Sequence, residues 1–431
     1  MKLTIHRGTK EIGGTCVEVK TDKTRIVIDF GMPLVDARKE SFDSKTLIGK
    51  SIDALKESKI LPDIKGLYNT EEKSIDAILI SHSHMDHYGL LSYVRSDIPV
   101  YMSRGAQELI DISGIFTPNK IGKINSHIVN AKKVFKIGDI KITPYLVDHS
   151  AFDALAFLIE ADGKCVFYSG DFRAHGRKSI LFKRIIEDPP KNIDCLLMEG
   201  SMLGRENQKY KDEVSVQQGI EDILKSVNNI TFLFASSQNI DRLVSAYKAC
   251  LKTDSTFVID IYTAYILDRL RKVSEHIPQF NWRNVRVKFY KNQADSLAEK
   301  VSTKLLYHYN TKKIELFEIN KNKNKFLMLA RDNTIFPKII KDIDKIEGAK
   351  IIYSMWNGYL TDEFKEYCTK KGLSIEEVHT SGHATMEDLK TFAAAINPKT
   401  LIPIHTFEKD RYPSLFKNVK VLSDGEEFAI D

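Results

Sequence analysis

The chain has 431 residues, 42% of them hydrophobic and 28% charged, a balance that excludes a disordered polypeptide. That length exceeds one typical core, so two domains, or one domain carrying a large insertion, are expected. Sixty-four Lys and Arg against 58 Asp and Glu leave a formal charge of +6, which permits a polyanionic partner without demanding one. Cys16, Cys165, Cys195, Cys250 and Cys368 lie far apart and form no C-x-x-C, the pattern of reduced structural thiols in a cytosol. No apolar stretch approaches membrane-spanning length, and Met1 to Gly14 lacks a signal-peptide core. The expected location is therefore cytoplasmic, with no membrane partner.

Leu3 to Asp29 reads as short alternating strands with turns at Gly13-Gly14 and Asp22-Lys23, ending on Arg25-Ile26-Val27-Ile28-Asp29. Asp29 is either a turn-initiating acid or an acceptor that fixes a ligand imidazole. Arg38 to Leu67 mixes charges with Leu and Ile, as surface helices and a loop do. Ile75 to Ile80 is a mostly apolar run read as a buried strand, and Ser81-His82-Ser83-His84-Met85-Asp86-His87 follows it. Four side chains that bind divalent metal through neutral imidazole or carboxylate thus fall within six positions, in the loop between a strand and a helix. Ordinary turns use Gly, Asn, Asp and Ser. A metal-ligand loop is the better reading.

Leu90 to Arg95 continues as a helix, Val100-Tyr101-Met102 is a strand, and Gly105 to Ile112 is a further helix. Three apolar strands then finish in polar groups: Lys141 to Ser150 in His149, Cys165 to Asp171 in Ser-Gly-Asp, and Cys195 to Ser201 in Glu199. Alone, a strand-end His is usually structural and an Asp after Gly usually belongs to a turn. Together with Asp29 and Ile80, however, these ends deliver polar groups to one edge of a β-sandwich.

From Arg205 to Ala349 no metal-ligand cluster occurs. Helix Val214 to Val227, strand Thr231 to Ala235, helix Ser236 to Ala249, strand Phe257 to Ile261, helix Tyr265 to Val273 and strand Phe326 to Ala330 alternate as parallel α/β. Between Val285 and Lys325 ten basic residues stand against four acids, either a solvated helix face or a basic lobe toward a phosphate backbone. Lys350 to Ser354 resumes a buried strand. His379-Thr380-Ser381-Gly382-His383-Ala384 precedes an amphipathic helix, Met386 to Ala395, a natural anion position. Leu401 to Thr406 is an apolar strand ending in His405. Six of the twelve histidines fall at strand ends or beside a helix start, a concentration that chance would scatter.

The H-x-H-x-D-H run at His82 to His87 resembles the signature of metallo-β-lactamase-fold hydrolases. Glu199-Gly200-Ser201, Ser381-Gly382-His383 and Pro403-Ile404-His405-Thr406 are similar to the three extra motifs of its β-CASP branch, which processes nucleic acid. The run His379 to Ala384 especially resembles ribonuclease J and its archaeal relatives. This resemblance implies an α/β fold: a metallo-β-lactamase αββα sandwich from residues 1–204 and 350–431, with an inserted β-CASP parallel α/β domain at 205–349.

It also implies a site. His82, His84 and His149 would hold one zinc, Asp86, His87 and His405 a second, and Asp171 would bridge them, giving two Zn2+ with Mn2+ or Mg2+ as substitutes. Asp86, Glu199 and His383 form the implied catalytic set, with Glu199 orienting the His383 ring. Ser381 and His379 are donors to the substrate phosphate or residues that stabilise their loop. The implied function is a zinc-dependent ribonuclease, endonuclease or 5′-exonuclease, acting through a metal-bridging hydroxide. His405 is typical of RNA-acting members, where DNA-acting ones usually carry valine. The alternatives are a DNA nuclease of the same branch, a small-molecule ester or thioester hydrolase, and a silent RNA-binding relative. Tyr353-Ser354-Met355-Trp356-Asn357-Gly358 departs from the Gly-Ser-Gln-Gly-like loop of ribonuclease J proteins, and the chain ends soon after the last motif. The 5′-monophosphate pocket and the homodimer are where this chain is expected to differ. Trp356 and Tyr359 in that loop read as core packing ahead of base stacking.

Overall fold

A computed structural model describes residues 1–36, 40–117, 121–122, 124–205 and 209–430; Arg38 lies outside them. Short strands of alternating character build a first sheet in the order Glu427–Ala429, Lys2–Arg7, Cys16–Lys20, Arg25–Ile28, Ala77–Leu79, Val100–Met102 and Ser126–Ile128. Hairpin pairing is antiparallel up to Arg25–Ile28 and parallel beyond it. A second sheet runs Thr400–Ile404, Cys195–Glu199, Lys164–Tyr168, Leu155–Ala161, Ile140–Leu146 and Phe135–Ile137.

The period of two explains the layers. Val17, Val19, Ile26 and Ile28 of the first sheet meet Ile142, Phe157, Val166 and Leu197 of the second in one dry core. The opposite faces carry Val27, Ile78 and Ile80, packed with Leu55, Leu67 and Ile110, and Phe167, Leu196 and Met198, packed with Phe182, Leu389 and Phe392. Helices therefore cover both outer faces of a two-sheet sandwich, the expected αββα arrangement.

The third sheet is wholly parallel, in the order Val285–Lys288, Thr256–Asp260, Phe326–Ala330, Thr231–Phe234, Lys350–Tyr353 and Ser374–Glu377. Its strands are continuous apolar runs because both faces are buried: Leu233, Ile259 and Ile352 on one side, Phe232, Val258 and Ile351 on the other. Lys350–Tyr353, expected to reopen the sandwich, instead pairs with Thr231–Phe234 and Ser374–Glu377. The inserted sheet thus extends to Glu377, well past residue 349, and the chain rejoins the sandwich through the His379 to His383 loop. An apolar tetrapeptide carries no mark of which sheet it joins.

Local boundaries move for identifiable reasons. The helix expected from Ser236 begins at Ile240, because the Asn239 side chain caps it by accepting from the Arg242 N–H at 3.1 Å. Leu91–Tyr93 is a single 3-10 turn rather than a helix. All five cysteines are free. No helix among the described residues is long and apolar enough to cross a membrane.

Candidate metal centre

Strands of both sandwich sheets end along one edge, and their following loops converge there. His82, His84, Asp86 and His87 follow Ala77–Leu79, Asp29 follows Arg25–Ile28, and His149 and Asp171 come three residues after Ile140–Leu146 and Lys164–Tyr168. Glu199 ends Cys195–Glu199, and His405 follows Thr400–Ile404. Asp29 and His405 both take left-handed backbone, with φ of 57° and 51°, a conformation costing roughly 1–3 kcal/mol that the surroundings must hold. The Asp29 N–H donates to Leu79 O at 2.8 Å and the His405 N–H to Gly8 O at 2.7 Å. At Gly31 an added Cβ would lie 1.6 Å from the Asp86 carbonyl oxygen, so only glycine lets the 84–88 turn approach this closely.

Three groupings of ligand atoms account for all seven residues of the expected metal set: His82, His84 and His149; His82, His87 and Asp171; and Asp86, His87 and His405. Asp171 stands at the centre. Its Oδ2 is 3.2 Å from His87 Nε2, 3.5 Å from His405 Nε2, 3.8 Å from His82 Nε2 and 4.0 Å from His149 Nε2. His149 Nε2 is 3.2 Å from His84 Nδ1, and Asp86 Oδ2 lies 3.7 Å from both His87 Nε2 and His405 Nε2. His82, His87, Asp171 and His405 are at most 2% exposed. Among the described residues, His82 Nε2, His87 Nε2, Asp171 Oδ2 and His405 Nε2 are buried atoms with no hydrogen-bond partner. Four inward-facing orphan atoms of nitrogen and carboxylate type are costly unless a cation takes them. The donor set fits a divalent metal centre.

The electrostatics agree. Burial holds the imidazoles of His82 and His149 well below their usual range and His84 near about 4, keeping them in the neutral form that ligates metal. For His87 burial is outweighed by Asp171, Asp29 and Asp86, which raise it. Outer partners fix the rings: His87 Nδ1 is 2.8 Å from Asp29 Oδ2, His405 Nδ1 is 2.8 Å from Thr15 Oγ1, and His149 Nδ1 is 2.5 Å from Gly382 O.

His383 stands beside this cage, its Nδ1 3.3 Å from Glu199 Oε1 and 3.7 Å from Asp171 Oδ2. Burial lowers it, but Glu199 and then Asp171 prevail and raise it. Glu199, fully buried, also accepts from the N–H groups of Phe172, Ser201 and Ala384. Ser381 Oγ accepts from the His383 N–H at 3.1 Å and donates to Met202 Sδ at 3.2 Å, so its hydroxyl stabilises the loop. His379 Nδ1 accepts from Arg242 at 3.3 Å. Burial and then Arg242 hold His379 down to about 3, against the opposing effect of its hydrogen bond to the Ser354 backbone.

Sequence reasoning missed the charged network beneath this loop. Arg173, fully buried, donates to Asp241 at 2.7 Å and to Ser381 O at 2.9 Å, and pairs with Asp148, the neighbour of His149, at 3.4 Å. Arg242, also fully buried, donates to Glu213 at 3.0 Å, Ser354 O at 2.7 Å and Thr380 O at 3.2 Å. These residues tie the inserted sheet to the sandwich through the loop that carries His383. The available signal was the acid and Asp-Arg pair at the starts of two otherwise apolar-faced helices. Three of the ten residues of the basic stretch are paired with acids of the same stretch: Arg286 with Glu318, and Lys288 and Lys313 with Glu315.

Comparison with known proteins follows the same outline. A beta-lactamase superfamily domain matches residues 55–231, and a Zn-dependent metallo-hydrolase RNA specificity domain matches residues 370–411. The chain is 24% identical over 420 residues to ribonuclease J of Helicobacter pylori (strain ATCC 700392 / 26695), covering 94% of this chain and 56% of that protein. It is 23% identical over 420 residues to ribonuclease J of Mycoplasma genitalium, covering 94% and 67%. An RNase J-like protein of Methanocaldococcus jannaschii is 23% identical over 303 residues, covering 66% and 63%. The chain thus spans little more than half the length of the Helicobacter relative. A crystal structure of an Enterococcus faecalis V583 protein of unknown function superposes with a TM-score of 0.78 at 24% identity, covering 99% of both chains. Sandwich, inserted parallel sheet, convergent ligand loops and matched domains liken this chain to the ribonuclease J proteins of the metallo-β-lactamase-fold β-CASP group.

Proposed function

We propose that the chain hydrolyses RNA phosphodiester bonds at a centre of two zinc ions, the first held by His82, His84 and His149, the second by Asp86, His87 and His405, with Asp171 shared. The convergence of four orphaned, buried ligand atoms on one point carries this reading. The RNA specificity domain matched at residues 370–411 and the ribonuclease J relatives support RNA as the substrate. A bound divalent pair would supply activation of water and neutralisation of phosphoryl charge.

The chain's own residues do the rest. Asp29, Thr15 and the Gly382 carbonyl hold three ligand rings in place. Glu199 orients His383 through Nδ1, which leaves the other ring nitrogen to donate to a phosphate oxygen or to protonate the leaving 3′-oxygen. His379 accepts from Arg242 through Nδ1 and is tied to the Ser354 backbone, which holds the loop carrying His383 in place. Ser381 acts on the phosphate through the shape of its loop rather than through its hydroxyl, which is already engaged.

The test is incubation of purified, zinc-loaded protein with 5′-labelled RNA bearing triphosphate, monophosphate or hydroxyl ends. Mononucleotide release from the monophosphate alone marks 5′-exonuclease action, and internal fragments from all three mark endonuclease action. Intact RNA in zinc, manganese and magnesium, beside cleavage of a simple ester, overturns the reading.

A further inference from the structure

We propose that Trp356, Tyr359 and Arg205 form a platform on which an unpaired nucleobase of the substrate strand stacks at the lip of the metal cage. The inference rests on the nuclease reading and adds a binding subsite made by the loop in which this chain departs from ribonuclease J proteins.

The rings are displayed, not packed. Trp356 is 48% and Tyr359 56% exposed, which overturns core packing as their role. Their ring centroids are 5.2 Å apart at 88°, and the Arg205 guanidinium lies 5.2 Å from the Trp356 ring centroid. Such a group offers aromatic surface and a cation together, the pair that binds single-stranded nucleic acid. The turn is built to hold the indole: an added Cβ at Gly358 would fall 2.4 Å from the Trp356 ring, so glycine makes the room the ring occupies. Asn357 Nδ2 donates to Glu377 Oε2 at 2.6 Å, and Arg242 donates to Ser354 O at 2.7 Å, which pins the loop at two points. Little ordering then remains to be done on binding.

Both sides of the platform reach the catalytic loop. Asn357 grips Glu377, two residues before His379. Arg205 donates its N–H to Met202 O at 3.1 Å, and Met202 Sδ accepts from Ser381. Burial and then the charge of Asp86 raise the Tyr359 hydroxyl, while burial lowers the Arg205 guanidinium against the opposing pull of Glu199. On this proposal a strand whose phosphodiester lies at the cage lays an adjoining base on these rings, while bases stacked within a duplex offer no free face.

The test uses the Trp282→Phe protein, in which Trp356 is the sole tryptophan, titrated in its zinc-loaded form with a phosphorothioate-linked single-stranded octaribonucleotide and with an abasic strand of the same backbone. Stacking quenches Trp356 emission with the base-bearing strand only. In parallel, Trp356→Ala and Tyr359→Ala each raise KM for single-stranded RNA about tenfold, with the loss falling on KM rather than kcat, and Trp356→Phe restores most of it. Equal quenching by both strands, or unchanged KM in Trp356→Ala while the parent cleaves RNA, overturns the platform alone. Base-dependent quenching in a protein that leaves RNA intact keeps the platform and overturns the nuclease reading; neither quenching nor cleavage overturns both.

Discussion

His87 Nδ1 lies 2.8 Å from Asp29 Oδ2, and the same oxygen accepts from the Tyr168 hydroxyl at 2.6 Å and the Ser81 hydroxyl at 2.8 Å. The carboxylate of a strained strand end therefore sets which nitrogen of His87 faces the cage. Asp29→Asn keeps the side-chain volume but replaces one acceptor oxygen with a donor. It is expected to lower affinity for a cation held through His87 roughly 10- to 100-fold. Metal retained after dialysis against a graded chelator series, with near-ultraviolet circular dichroism to monitor the fold, reads the effect.

Cations that bind only the folded chain stabilise it by mass action, by about 2.7 kcal/mol at a hundredfold excess over Kd. Zinc is therefore expected to raise Tm in a concentration-dependent way. Asp171→Asn weakens the oxygen at the centre of the site, 3.2 Å from His87 and 3.5 Å from His405, and should abolish most of that rise. Calorimetric scans at several zinc concentrations check both; a Tm indifferent to zinc in the parent protein contradicts the metal centre.

Glu213 is the shared acid between Arg173 and Arg242, and despite burial those two guanidinium groups hold its carboxyl down to about 2. A carboxyl depressed by folding stabilises above its unfolded value, and the contribution is lost as pH falls through the folded one. Here it is complete above about pH 4.5 and disappears toward pH 2, roughly 3 kcal/mol in all. Glu213→Gln leaves two buried guanidinium groups short of charge and should cost about 3–5 kcal/mol at neutral pH. Urea denaturation from pH 3 to 7 tests the slope: the parent loses stability on acidification across this window more steeply than the variant.

The candidate ligands are legible where chemistry concentrates them. The His82 to His87 run needs only a loop to become half of a candidate metal site, and His149, Asp171 and His405 each close an apolar run whose period is plain. The sandwich was legible through the same alternation. What escaped was set by tertiary context. Ile351 and Ile352 are equally apolar in either sheet, so nothing local showed that Lys350–Tyr353 belongs to the inserted one. Arg173 and Arg242 sit among ordinary surface-type residues in the sequence, and their burial depends on Asp148, Glu213 and Asp241 arriving from elsewhere in the chain. Aromatic residues usually supply core, so nothing in the sequence marks Trp356 as displayed; its exposure in the structure does.

His383 poses a sharper question, since Asp171, His383 and His405 also lie close enough to hold an ion. Its Nδ1, however, faces Glu199 at 3.3 Å, closer than Asp171 at 3.7 Å, and Glu199 is spent on three backbone N–H groups besides. A ligand would turn its nearer nitrogen to the cage; a group that handles the phosphate or the leaving oxygen would be held as this one is. His383→Ala should therefore retain the parent's full metal content while kcat falls roughly 10²- to 10⁴-fold with KM little changed. Native mass spectrometry of the zinc-loaded variant alongside single-turnover RNA cleavage separates the roles. Loss of one metal ion in His383→Ala would make it a ligand and return the proton to some other group.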